Sequence, residues 1–182
     1  LGSALSDGGV HRLLKLLRHE VPSPGRAAAR MGLREGGALH VFKVANGGAM
    51  GRLALGRVLG ARLAEGDELV VGSAPERAGS LFLVQGDKTA KQSAARPGDV
   101  VAVAKLENIR PGMMLGNKGA RCAEPVAISY PPRNAAAAIT TRDRKDDVKL
   151  STALHRLCEE DPALEWQQDE ASHETILRGI ND

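Results

Sequence analysis

The chain has 182 residues, 42% hydrophobic and 26% charged, the balance of an ordinary folded chain of one or two domains. Aromatics are only 2%, so its cores must be built from Val, Leu, Ile and Ala, and the composition argues against base stacking as a way of holding RNA, since stacking needs aromatic faces. The net charge of +3 is uneven: from Leu150 onward two arginines stand against eight carboxylates, a net −6, which leaves +9 on the first 149 residues and suits a polyanionic partner such as RNA.

In chain order, the first periodic segment is Val10 to His19, where Val10, Leu13, Leu14 and Leu17 take the i, i+3, i+4, i+7 spacing of an amphipathic helix. Asp7 is placed to cap it, and Pro22 and Pro24 to end it. Ser23 to Gly37, rich in Gly and Arg, reads as a linker. A β-rich block follows, with strands predicted at Ala38–Asn46, Gly51–Leu59, Asp67–Gly72, Ser80–Gln85, Asp99–Leu106 and Met113–Leu115. In the first of these, Leu39, Val41 and Lys43 fall on one face and His40, Phe42 and Val44 on the other. Short strands broken by Gly and Pro indicate a closed barrel or sandwich. Asn117 to Asn134, with Pro125, Pro131 and Pro132, is a connector. A strand at Ala135–Thr141, a helix at Asp147–Glu160 and a hairpin of Leu164–Gln168 with Thr175–Arg178 then make about half to two-thirds of a split βαβ unit. The organisation read from this is 1–24, a linker at 25–37, a barrel at 38–116, a connector at 117–134 and a partial α+β unit at 135–182.

Few motifs promise catalysis. Gly86-Asp87-Lys88-Thr89 imitates the end of a phosphate loop, but Asp87 splits the Gly-Lys pair and would repel phosphate. Asn117-Lys118-Gly119-Ala120 lacks the closing Asp that pairs with guanine. Glu159-Glu160-Asp161 and Asp146-Asp147 read as solvated acids, because a general acid–base pair must converge in a cleft. The five histidines share no metal spacing, so no metal is expected. Cys122 and Cys158 lack a CxxC spacing and fit a reduced, cytoplasmic protein, with Cys158 packed on the apolar face of its helix. The first residues of the sequence form no signal peptide and no apolar run is long enough for a bilayer, so no membrane partner is expected. The cations stand out instead: Lys43, Arg52, Arg57, Arg62 and Arg110 in the β block, then Arg142, Arg144, Lys145 and Lys149, of which the arginines match phosphate oxygens in forked geometry.

Several segments resemble one family. Arg57-Val58-Leu59-Gly60-Ala61-Arg62-Leu63-Ala64-Glu65-Gly66-Asp67 resembles a signature of the second domain of translational GTPases, and Ala38 to Val44 its first strand. Pro97-Gly98-Asp99-Val100 through Leu106 looks like a later strand of that domain, and Pro111-Gly112-Met113-Met114-Leu115 its closing turn. Lys149 to Leu154, Glu159-Glu160-Asp161-Pro162 and Glu174 to Gly179 look like the opening of the third domain of elongation factor G. Gly2-Ser3-Ala4-Leu5 resembles the last guanine-contacting loop of a GTPase domain. Met113-Met114 in place of Asp-Thr, Ala61 in place of Gly and the basic stretch 142–147 look more like the elongation-factor-G-like paralogues.

The resemblance implies a mainly β fold: a Greek-key translation-factor β-barrel followed by a partial ferredoxin-like α+β unit. It implies docking on small-subunit ribosomal RNA, not DNA, through Lys43, Arg52, Arg57, Arg62, Arg144 and Lys145. Ser3 and Ala4 would be a guanine-contacting remnant. The parent would be a GTPase using GTP and Mg, and this chain, without a phosphate loop, is expected to hold no cofactor and to be inactive. A stand-alone barrel adaptor for RNA or protein, and a release-factor or ribosomal-protection GTPase, remain as alternatives. The chain is expected to be a monomer, or to associate weakly through the edge left by the incomplete α+β sheet.

Overall fold

The structure, a computed structural model, describes all residues except 1, 33–37, 72–73, 87, 118–128, 171, 173 and 182, and the backbone alone at 38, 49, 71, 74 and 144. Asp87, Cys122, His173 and most of the 117–134 connector therefore lie outside the described residues.

Helix α1 spans Val10–Glu20. Its N-cap is Gly9 in a left-handed conformation with no side-chain cap, so Asp7 does not cap it; the Asp7 carbonyl accepts from the Val10 amide instead. Helix α2, Pro24–Arg30, occupies about half of the stretch read as a linker. Pro24 does not merely stop the preceding helix. It opens the next one at a position whose amide needs no partner, and Ser23 accepts from the Arg26 amide as N-cap.

The strands follow as β1 (Ala38–Asn46), β2 (Arg52–Leu59), β3 (Leu63–Ala64), β4 (Glu68–Val71), β5 (Ala74–Arg77), β6 (Leu81–Gln85), β7 (Lys88–Gln92), β8 (Ala94–Ala95), β9 (Val100–Ala104) and β10 (Met114–Asn117). Eight form one antiparallel sheet in the order β5-β4-β10-β1-β2-β9-β6-β7, and β3 pairs with β8. The sheet bends around one core whose largest fully buried side chains include Leu39, Leu69, Leu81, Leu106, Ile109 and Leu115. Burying each such side chain is worth roughly 1.5–3 kcal/mol, so aliphatics alone sustain the core.

The ladder does not close, contrary to the closed barrel that the strand spacing predicts. Its edges are β5 and β7. Both suit an edge: Pro75 lacks an amide to donate, and Lys88-Thr89-Ala90-Lys91-Gln92 is polar and mostly exposed. Leu63 and Ala95, from the small β3–β8 pair, join the same core.

The second unit contains β11 (Ala135–Ile139), α3 (Asp147–Glu160), β12 (Glu165–Gln168) and β13 (Thr175–Gly179). Its sheet order is β11-β13-β12, all antiparallel, which is the expected βαββ arrangement. Among the described residues nothing pairs with the outer edge of β11. Leu154 of α3 is buried, while Cys158 is only half-buried, with burial pushing its thiol pKa up. No helix among the described residues is long and apolar enough to cross a membrane.

Candidate nucleic-acid interface

A single extra residue shapes the outer face of the large sheet. Val41 pairs with Gly56 and Lys43 with Leu55, so β1 carries a bulge at Phe42. Strict alternation would send Val44 outward and Lys43 inward. With the bulge, Leu39, Val41 and Val44 are all buried, and Phe42 and Lys43 are both exposed. The expected sidedness of β1 is thus corrected beyond Val41: Lys43 belongs to the solvent face and Val44 to the core.

The pairing of β1 with β2 demands an exceptionally close approach. A Cβ on Gly56 would lie 2.7 Å from Leu39 Cγ and 2.8 Å from the His40 carbonyl oxygen, so only glycine fits. Next along β2, Arg57 points outward and stands opposite His40 on β1 and Val100 on β9. Burial depresses the pKa of His40, so its imidazole adds no positive charge near neutral pH. His40, Phe42, Lys43, Leu55, Arg57 and Val100 thus share a face, and none is a carboxylate. Lys43 and Arg57 have no acidic partner among the described residues.

The other expected cations are dispersed. Arg62 is exposed in the turn between β2 and β3. Lys145 lies in the one-turn helix before α3 and pairs with Asp143 at 3.4 Å, and the Arg144 side chain is outside the described residues. Arg52 is turned to structural work. Its Nη1 donates to the Glu107 carbonyl and its Nη2 to that of Ile109 at 2.6 Å, with Glu159 of α3 at 3.4 Å from Nη1. No signal in the sequence joins Arg52 to partners so distant along the chain.

At the N-terminus, Ser3 and Gly8 form an isolated bridge, the Ser3 amide donating to the Gly8 carbonyl at 2.9 Å. Ser3 and Ala4 line an open concavity with Gly8, Gly9, Arg12 and Leu13. The α1 face beside it is bare: Leu13, Leu14, Leu16 and Leu17 are each about half exposed. Among the described residues no group of three or more His, Cys, Asp or Glu is placed to hold a metal ion.

Comparison with known proteins agrees with this architecture. Residues 38–118 match the family model for elongation factor G domain 2, and residues 130–182 that for elongation factor G, domain III. The chain belongs to the elongation factor G family. An elongation factor G-like protein of Synechocystis sp. is 37% identical over 184 residues, covering 98% of this chain. Elongation factor G of Jannaschia sp. is 26% identical over 203 residues, covering the whole of it. A crystal structure of a protein from Thermus thermophilus superposes with a TM-score of 0.73 at 33% identity over 94% of the chain. The chain spans 26% of the length of the Synechocystis protein, 28% of the Jannaschia factor and 26% of the crystallised chain. The two family matches meet the two sheets: the eight-stranded sheet falls in the domain 2 match, and the βαββ unit in the domain III match.

Proposed function

We propose that this chain is the ribosome-docking part of an elongation-factor-G-like translational GTPase, and that Lys43 and Arg57, with Arg62 nearby in sequence, meet ribosomal RNA phosphates. The observation that supports this is the pair of cations, Lys43 and Arg57, that stand on one sheet face with no acidic partner among the described residues, within a body of net charge +9. Such contacts position a protein on RNA without reading its bases, and they bind through counterion release. Arg52 is left out of this surface because both of its Nη atoms are already engaged, by the Glu107 and Ile109 carbonyls and by Glu159.

GTP chemistry would reside outside residues 1–182, since neither a complete phosphate loop nor a closed Asn-Lys-x-Asp motif occurs in the chain. Ser3 and Ala4 would at most brush the guanine of a nucleotide held by the rest of such a domain. Co-sedimentation with small ribosomal subunits across a salt series tests the docking. Binding should weaken steeply with salt, and Lys43→Ala with Arg57→Ala should flatten the slope by about two charges. Association that is absent at low salt, or unchanged in the double variant, would rule the surface out. Isothermal titration with GTP should show no binding at micromolar concentration.

A further inference from the structure

The outer sheet face holds an aromatic ring that packing does not explain. The chain has only two phenylalanines. Phe82 packs against Leu53, Ala102 and Ala104. Phe42 belongs to no such cluster and is 47% exposed, although the β1 residues on either side of its bulge, Val41 and Val44, are buried. Val100, 44% exposed, adds further open apolar surface on the same sheet face. The bulge that ejects Phe42 also places Lys43 beside it, and Arg57 lies on the neighbouring strand two residues beyond Leu55, the partner of Lys43.

We infer that this face seats one unpaired RNA nucleotide, its base stacked on the Phe42 ring and its flanking phosphates met by Lys43 and Arg57. This rests on the RNA-docking reading of the same face and specifies what the RNA must offer there. A continuous duplex presents phosphates but no free base face, so it would satisfy the cations and leave the ring bare. An extruded base covers the ring, and stacking accepts any base because each has a π-face. Charge complementarity favours a nucleotide: cations flank the ring, and none of His40, Phe42, Lys43, Leu55, Arg57 and Val100 around it is acidic. The low aromatic content makes stacking a local device here, one ring among phosphate contacts, and not the general means of binding.

The test uses two RNA hairpins carrying 2-aminopurine, one with it unpaired in a bulge and one with it inside the duplex. Wild-type chain should quench the bulged probe on binding. Phe42→Ala should weaken binding to the bulged hairpin roughly tenfold or more, leave the paired hairpin unaffected, and be rescued by Phe42→Trp. Because Phe42 lies outside the core, circular dichroism should show the variants folded. If Phe42→Ala binds both hairpins as wild type does while Lys43→Ala and Arg57→Ala bind weakly, the stacking site is overturned and phosphate docking stands. If wild type holds neither hairpin nor small subunits, both readings fall. A Phe42-dependent dimer in sedimentation without RNA would overturn the site in favour of a second copy of the chain.

Discussion

The guanidinium of Arg52 lies 3.4 Å from the carboxylate of Glu159, joining the start of β2 to the last turn of α3. The neighbouring Glu160 accepts from the Asn46 amide at the end of β1. Acids at a helix C-terminus oppose the helix dipole, which makes Glu159 and Glu160 look misplaced on the helix alone. They are accounted for by the β1–β2 hairpin that they grip. Arg52 also holds the carbonyls of Glu107 and Ile109, so one side chain ties the loop after β9 to both the hairpin and the second unit.

Arg52→Ala should therefore cost about 2 kcal/mol, because it strips two carbonyls of a charged donor as well as breaking the ion pair. Glu159→Gln should cost under about 1 kcal/mol, since both partners are more than a quarter exposed and water screens them. Urea denaturation of the two variants and their double separates these contributions. Equal losses for both would mean that the carbonyl contacts carry no weight.

Gly56→Ala should be more damaging than its size suggests. The added methyl would press on Leu39 Cγ at 2.7 Å and on the His40 carbonyl at 2.8 Å, and Leu39 is fully buried with no room to turn away. Overpacking of this kind costs about 1–3 kcal/mol, a fall of roughly 2–12 °C in Tm for a chain of this size. Differential scanning calorimetry reads it directly, and an unchanged Tm would show that β1 and β2 can separate freely.

How legible the fold was depends on where each element sits. The central strands β1, β2 and β9 announce themselves by aliphatic alternation, and α3 begins at Asp147 and ends at Glu160, as its apolar stripe predicts. The edge strands β5 and β7 were not legible, because an edge has no buried face on both flanks and tolerates Pro75, Lys88 and Lys91. The β1 bulge was hidden for a different reason: Phe42 looks like any residue of an alternating strand, and only its register against β2 shows the extra residue. The candidate site was half legible for the same cause. Lys43 and Arg57 stand out as cations in the sequence, but their shared face follows from the bulge. The withdrawal of Arg52 follows from contacts 55 and 57 residues away along the chain and from Glu159 further still.

Truncating leucines should divide the molecule into packed and bare regions. Leu115 is fully buried within the large core, and Leu115→Ala should cost about 2–5 kcal/mol through lost burial and the cavity left behind. Leu16 on α1 is 57% exposed, so Leu16→Ala should stay within about 0.5 kcal/mol of wild type, alanine being a strong helix former. Chemical denaturation of the two variants makes the comparison. A loss at Leu16 as large as at Leu115 would mean that the α1 face is covered in solution.

Acid should weaken the fold in two separate windows. Burial lowers the pKa of His40 below its ordinary 6.5, so the folded chain binds this proton less readily than the unfolded one. Between the folded value and 6.5 the unfolded state carries the extra proton, and stability therefore falls as pH drops through that range. Glu65 acts lower on the scale. The Ser80 hydroxyl donates to it at 2.9 Å and Lys91 stands at 3.2 Å, which together hold its pKa below the ordinary 4.5. Its contribution is present above 4.5 and is lost only as pH falls through the lower folded value. His40→Gln should flatten the stability profile just below pH 6.5 and leave the steeper acid limb, whereas Glu65→Gln should alter only the region below about pH 4.5. Urea midpoints measured at half-unit pH steps distinguish the two, and a His40→Gln profile that keeps the wild-type slope just below pH 6.5 would assign that window to another group.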